Sequence, residues 1–133
     1  MIVLDSSAAV EWLLGRAAAS VVAGHLGNPD TSVHAPSLLG VEVASALRRL
    51  VLGGHMPPSR GETAIADLSA TDTTLHDPTP LLPRAWELRA NLSAYDAVYV
   101  ALAEALEATL VTGDARIAGA PGVMAAVDVV PIG

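Results

Sequence analysis

The chain predicts an α/β fold: a central parallel sheet of about five strands with helices on both faces. Three observations carry this. Short apolar runs alternate with longer runs of helical period over the 133 residues. Turn signals rich in Gly, Pro, Asn and Asp separate them. The first run, Ile2-Val3-Leu4, is wholly apolar, as a strand covered on both faces requires. The length suits one domain over residues 1–133 with a single core.

The elements follow in order. After the first strand, Ser6-Ser7 open a helix through about Leu14, which Gly15 breaks. A second helix runs from about Ala17 to Leu26, and Gly27-Asn28-Pro29-Asp30 turns the chain. Ser32 to Ala35 forms the second strand. Pro36-Ser37 start a long helix that ends near Gly53-Gly54. Pro57-Pro58-Ser59 start another, to about Ser69. Thr73 to His76 is the third strand, followed by helices near Leu81–Ala90 and from about Ser93 to Glu107. Thr109-Leu110-Val111-Thr112 and Val127-Asp128-Val129-Val130 complete the sheet.

Composition narrows the function. Hydrophobic residues make up 52% and mean hydropathy is +0.48, which suggests that a partner covers one face. No membrane span is expected, because Glu42 interrupts one apolar helix and Glu104 and Glu107 another, short of the roughly 18 residues required. Met1 to Asp5 lacks the basic flank of a signal peptide, so a cytoplasmic location is expected. The absence of cysteine excludes disulfides, thiolate catalysis and cysteine-bound zinc. His25, His34, His55 and His76 are too far apart for a short metal-binding pair. Fourteen acids against seven bases argue against non-specific nucleic-acid binding through a basic surface. All seven bases are arginine, so phosphate loops built on lysine are excluded. Aromatics at 3% give little basis for an RNA-stacking sheet.

Four acids stand where parallel sheets place their sites, at the carboxyl ends of strands and in the helices that follow. Asp5 ends strand one and Asp114 lies just past strand four. Each could equally cap the helix after it. Glu42 sits beside an apolar stripe formed by Leu38, Leu39 and Ala46, where a lone carboxylate is costly. Asp96 follows Ser93 by three residues, which resembles a capping box. As a set, the acids are hard oxygen ligands suited to Mg²⁺ or Mn²⁺. Two such charges about 5 Å apart repel by roughly 3 kcal/mol at an effective dielectric near 20, so clustering needs a cation. A cation there points to phosphoryl chemistry on nucleic acid or nucleotides.

Four segments carry a family resemblance: Ile2-Val3-Leu4-Asp5-Ser6-Ser7-Ala8, Pro36-Ser37-Leu38-Leu39-Gly40-Val41-Glu42-Val43, Tyr95-Asp96-Ala97-Val98-Tyr99-Val100-Ala101-Leu102-Ala103, and Leu110-Val111-Thr112-Gly113-Asp114-Ala115-Arg116. Their order and spacing resemble the PIN-domain nucleases, and more closely the VapC toxins of toxin–antitoxin pairs. The resemblance implies a PIN-like three-layer sandwich with strand order 3-2-1-4-5. It implies an Mg²⁺-dependent endoribonuclease, with Mn²⁺ substituting, that acts on structured RNA of the transfer or ribosomal class. Asp5, Glu42, Asp96 and Asp114 match the acidic quartet, with Asp5, Asp96 and Asp114 as metal ligands. Ser7 and Thr112 match supporting polar positions, and Ser45 stands where the family often has asparagine. Glu11 lies near the same end of its helix, without a motif to assign it a role. The implied partners are RNA and a VapB-type antitoxin, with homodimers and larger toxin–antitoxin assemblies. Arg49 and Arg116 are the foremost candidates for RNA contact, with Arg48, Arg84 and Arg89 behind them and helix solvation as their bland alternative. Trp12, Trp86, Tyr95 and Tyr99 read as packing residues. The alternative function is a catalytically silent PIN-like module that binds RNA or protein; the intact quartet favours the enzyme.

Overall fold

The computed structural model describes residues 1–133. Five strands form one all-parallel sheet: β1 (Ile2–Leu4), β2 (Val33–Pro36), β3 (Thr73–His76), β4 (Thr109–Thr112) and β5 (Val127–Val129). Their order is β3-β2-β1-β4-β5, so β1 is central and the chain leaves it in both directions. Every residue of β1 is buried, which explains its unbroken apolar run.

The helices are α1 (Ser6–Leu13), α2 (Ala19–Leu26), α3 (Leu39–Leu52), α4 (Pro58–Ser69), α5 (Leu82–Glu87), α6 (Ala94–Leu106) and α7 (Ala115–Gly119). One group, α1 to α4, packs through α1 and α3; the other pairs α5 with α6, and α6 lies along β1, β2 and β4. Seven consecutive residues of α6, Ala97 to Ala103, are buried. Small alanines at 97, 101 and 103 let this helix lie close to the sheet. Much of the apolar excess is therefore spent inside the molecule, although Val41, Tyr95, Trp86 and Met124 remain exposed.

Two helix starts differ from the sequence expectation. The long helix begins at Leu39, because Pro36 still pairs with His76 at the end of β2 and the next two residues form a turn. The second helix begins at Ala19, after a turn at residues 17–18. The helix expected near Leu81–Ala90 is a 3₁₀ turn (Thr79–Leu81) running into the short α5.

Candidate active site

Pairing of β1 with β4 places Leu4 opposite Val111, and the Asp5 N–H continues the ladder to the Val111 carbonyl at 3.0 Å. The ends of these two neighbouring strands thus bring Asp5 and the Thr112-Gly113-Asp114 segment together. Asp5 occupies the N-cap position of α1 but makes no side-chain capping bond. Its carboxylate turns instead toward β4 and is 4% exposed. Oδ2 accepts from Ser7 Oγ at 2.6 Å and from Thr112 Oγ1 at 2.8 Å. Each hydroxyl also accepts a backbone N–H from the loop: Gly113 to Ser7 at 2.8 Å, and Asp114 to Thr112 at 3.0 Å. The two supporting residues thereby fix both the carboxylate and the loop that carries the next acid. Gly113 has no Cβ because one would lie 3.3 Å from Ser7 Oγ and 2.4 Å from the Ile132 side chain.

Glu42 and Asp96 each lie in a first helical turn, in α3 and α6, where the helix dipole favours negative charge. Both are half-buried. The α6 cap is Ser93, whose Oγ accepts the Asp96 N–H at 3.2 Å, so the Asp96 carboxylate is not needed for capping. Burial raises the Glu42 carboxyl above its ordinary range; Tyr99 pulls it down in part, and the charges of Asp5 and Asp96 push it up further. Burial likewise raises Asp96, with Asp5 and Asp114 adding to it, while Ser93 and Arg116 oppose. These mutual influences place all four acids in one electrostatic neighbourhood.

Asp114 behaves differently. It caps α7 by accepting the Arg116 N–H at 3.0 Å, and the Arg116 guanidinium grips it at 2.6 Å. The guanidinium bonds hold its carboxyl below the usual range, against the opposing effect of burial.

No three acids or histidines are drawn together tightly enough to clasp one ion. The donor set nevertheless suits a hard divalent cation. Glu42 Oε1 is buried without a hydrogen-bond partner, and the two donors to Asp5 both use Oδ2, leaving Oδ1 free. Asp5, Asp96 and Asp114 could hold such an ion, with Glu42 beside them, once Asp114 is released from Arg116.

Three sequence readings change. Arg84 is committed to structure: Nε and Nη2 bind Glu104 at 2.7 and 3.2 Å, and Nη2 also reaches the Gly122 carbonyl. Tyr95 and Trp86 are not packing residues, being 65% and 68% exposed; Trp86 instead stacks beneath Arg89 at 4.7 Å. Tyr99 is buried as expected, and it also stands beside Glu42, a neighbour the sequence did not suggest. Its hydroxyl faces Glu42, although neither Tyr99 Oη nor Glu42 Oε1 completes a hydrogen bond. Its position three residues after Asp96, on the helical face that Asp96 shares, is the signal that could have found it.

A parallel sheet of this order, with four acids gathered at its carboxyl edge, defines a class, and the family profile of the PIN domain matches residues 2–123. The chain belongs to the PIN-domain family, among the VapC proteins. It is 41% identical over 133 residues to VapC ribonuclease Mb0985 of Mycobacterium bovis, covering 98% of this chain and 99% of that one. Ribonuclease VapC1 of Mycobacterium tuberculosis is 40% identical over 121 residues, covering 90% of each. The fold is shared with VapBC2 from Rickettsia felis, solved bound to a DNA fragment from its promoter (TM-score 0.69, 14% identity, 98% of this chain and 99% of that one). It is shared too with Mycobacterium tuberculosis VapC20, a sarcin-ricin loop cleaving toxin (TM-score 0.68, 18% identity, 91% and 95% covered). No helix is long and apolar enough to cross a membrane.

Proposed function

We propose that this protein is a cytoplasmic, Mg²⁺- or Mn²⁺-dependent endoribonuclease toxin that cuts structured RNA of the transfer or ribosomal class and is inhibited by a VapB-type antitoxin. The observation that carries the reading is the gathering of Asp5, Glu42, Asp96 and Asp114 at one sheet edge, with Asp5 held by Ser7 and Thr112. The full-length likeness to proteins named VapC ribonucleases supports it.

Asp5, Asp96 and Asp114 would hold the ion. When bound, it lowers the pKa of water and offsets negative charge on a phosphodiester. Glu42, with its raised carboxyl, would orient the attacking water for in-line displacement: the new P–O bond forms as the bond from phosphorus to the 3′-oxygen breaks, and solvent protonates that oxygen, leaving a 5′-phosphate and a 3′-hydroxyl. Thr112 keeps Asp5 in place. Arg116 exchanges Asp114 for RNA phosphate, and Arg49 offers a second phosphate contact. The antitoxin inserts a basic side chain among the carboxylates and packs apolar residues beside it, within homodimers and larger toxin–antitoxin assemblies. A VapBC complex among the fold's neighbours is consistent with such a partner.

The test is purified protein on total RNA with Mn²⁺ or with EDTA, followed by end-group analysis. Asp5→Asn, Asp96→Asn and Asp114→Asn preserve shape while removing charge. Each is expected to slow cleavage roughly a thousandfold, a loss of about 4 kcal/mol of transition-state stabilisation. Cleavage that persists in EDTA and leaves 2′,3′-cyclic phosphates rejects the proposal. Co-expression with the antitoxin is expected to yield a stable complex without nuclease activity; a complex that still cuts RNA rejects the occlusion.

A further inference from the structure

A cavity of about 780 Å³ lies beside the acidic quartet, between α1 and α3, and Glu42 forms part of its wall. Its lining includes a second acid that the mechanism above does not use, Glu11, which is only 3% exposed. Glu11 Oε1 accepts the Gly133 N–H at 2.9 Å, and Oε2 is buried with no donor at all. A buried acceptor without a partner is costly. The wall next to it is made by Ile132 and Gly133, which belong to no helix or strand. Arg16 and Arg49 stand at the same cavity, and neither is in an ion pair, whereas Arg84 and Arg116 are. Tyr95 adds an exposed aromatic face.

We propose that this cavity receives a nucleobase flanking the scissile phosphate, and that Glu11 selects guanine there. The inference rests on the ribonuclease reading. A carboxylate only accepts hydrogen bonds. Guanine alone presents two adjacent N–H donors, N1–H and the N2 amine, on its Watson–Crick edge. Adenine and cytosine pair one amine with an acceptor, and the N3–H of uracil is flanked by two carbonyls that a carboxylate repels. The Gly133 N–H now stands as one such donor, and displacing Ile132 and Gly133 opens Oε2 to the second. Bases splayed from single-stranded RNA are read in this way, by edge hydrogen bonds and aromatic stacking. Tyr95 supplies the stacking face, and Arg16 and Arg49 supply charge for the adjoining phosphates. The two unpaired guanidiniums favour this ligand over a basic peptide side chain, which they would repel.

The test has two arms on the full chain. In the first, binding of 5′-GMP, 5′-IMP and 5′-UMP is measured. IMP lacks only the N2 amine, so GMP is expected to bind about tenfold tighter, the value of one hydrogen bond to a charged group. Glu11→Gln should bring the two within about twofold. Arg49→Gln should weaken both nucleotides equally. Equal binding of GMP and IMP by the wild type, no binding of either, or an undiminished ratio in Glu11→Gln overturns the proposal. So does a Glu11→Gln protein that keeps the nucleotide ratio but loses hold of the antitoxin, since the cavity then takes a basic side chain. The wild-type ratio decides the matter even if Glu11→Gln fails to fold. In the second arm, cut sites in total RNA are mapped. Guanine should flank the wild-type cuts on one side and lose its preference in Glu11→Gln. A protein that cuts RNA without a flanking guanine sinks the pocket and leaves the ribonuclease reading standing. One that separates GMP from IMP but never cuts RNA does the reverse.

Discussion

Thr112 shows most clearly how one side chain serves two structures. It is fully buried and ends β4, where β-branched residues fit the pleat. Its hydroxyl donates to Asp5 and accepts the Asp114 N–H, so one atom couples two acids from opposite ends of the chain. Thr112→Val keeps the shape and removes both bonds. It is expected to lower unfolding free energy by about 1–3 kcal/mol, the cost of leaving buried polar groups unpaired. Urea denaturation measures this, and Mn²⁺ affinity should fall as Asp5 loses its anchor. An unchanged midpoint with unchanged Mn²⁺ binding would show that Thr112 positions nothing. Ser7, which holds Asp5 from the other side, explains why the effect stops short of complete loss.

At the scale of elements, the edge strand β3 is tied to β2 by more than its ladder. His34 Nδ1 and His76 Nε2 lie 2.8 Å apart, and His34 Nε2 meets Ser32 Oγ at 2.9 Å. One imidazole must donate and the other accept, which two protonated rings cannot do. Burial holds the His34 imidazole below its ordinary value, with the charges of His76 and of the N-terminus adding to this. The sign follows from linkage. The folded state binds the His34 proton less readily than the unfolded chain, whose value is about 6.5. This contribution to stability is therefore full above that pH and fades as pH falls through the folded value. Hydrogen exchange at the β3 amides is expected to quicken between pH 7 and pH 5, after correction for intrinsic rates. His34→Gln should flatten the dependence; an equally steep profile in that variant would assign it to another group.

At the scale of the whole molecule, the acids bear on stability in opposite senses. Glu42 and Asp96 have folded-state pKa values raised by burial and by their neighbours' charge. Their ionised forms oppose folding at neutral pH, and this opposition disappears as pH falls below the unfolded values near 4. Asp114 and Glu104 act in the reverse sense. Arg116 holds the first down; burial pushes the second up, but the Arg84 bonds, the Met124 N–H and the Arg84 charge together bring it below its ordinary value, so both lose stabilising influence on acidification. A divalent cation bound among the acids would relieve this repulsion without protons. Mg²⁺ or Mn²⁺ at a hundredfold excess over its dissociation constant is expected to add about 2.7 kcal/mol and to raise the melting temperature by roughly 10 °C. Asp5→Asn and Asp114→Asn should shrink this shift. A melting curve that millimolar metal leaves unmoved would count against a metal site in the folded protein.

The fold class and the order of nearly every element were legible in the sequence, which also singled out four acids as a candidate site. These are local matters: a buried parallel strand must be apolar throughout, a helix shows its period, and Ser93 caps from three residues away. What it left open was decided by residues distant in the chain. Asp5 had two equally sound local roles, and a hydroxyl 107 residues away selected between them. Arg84 had no local reason to be structural until Glu104 and Gly122 met it. Pro36 has the chemistry of a helix start, yet pairing with β3 keeps it in the strand. Glu11 carries no motif, and its significance rests on burial and on the Gly133 N–H, 122 residues on. Period and capping are encoded within a few residues of each position. The partner of a buried polar atom is chosen by packing across the whole chain, and only the tertiary structure brings that partner within hydrogen-bonding reach.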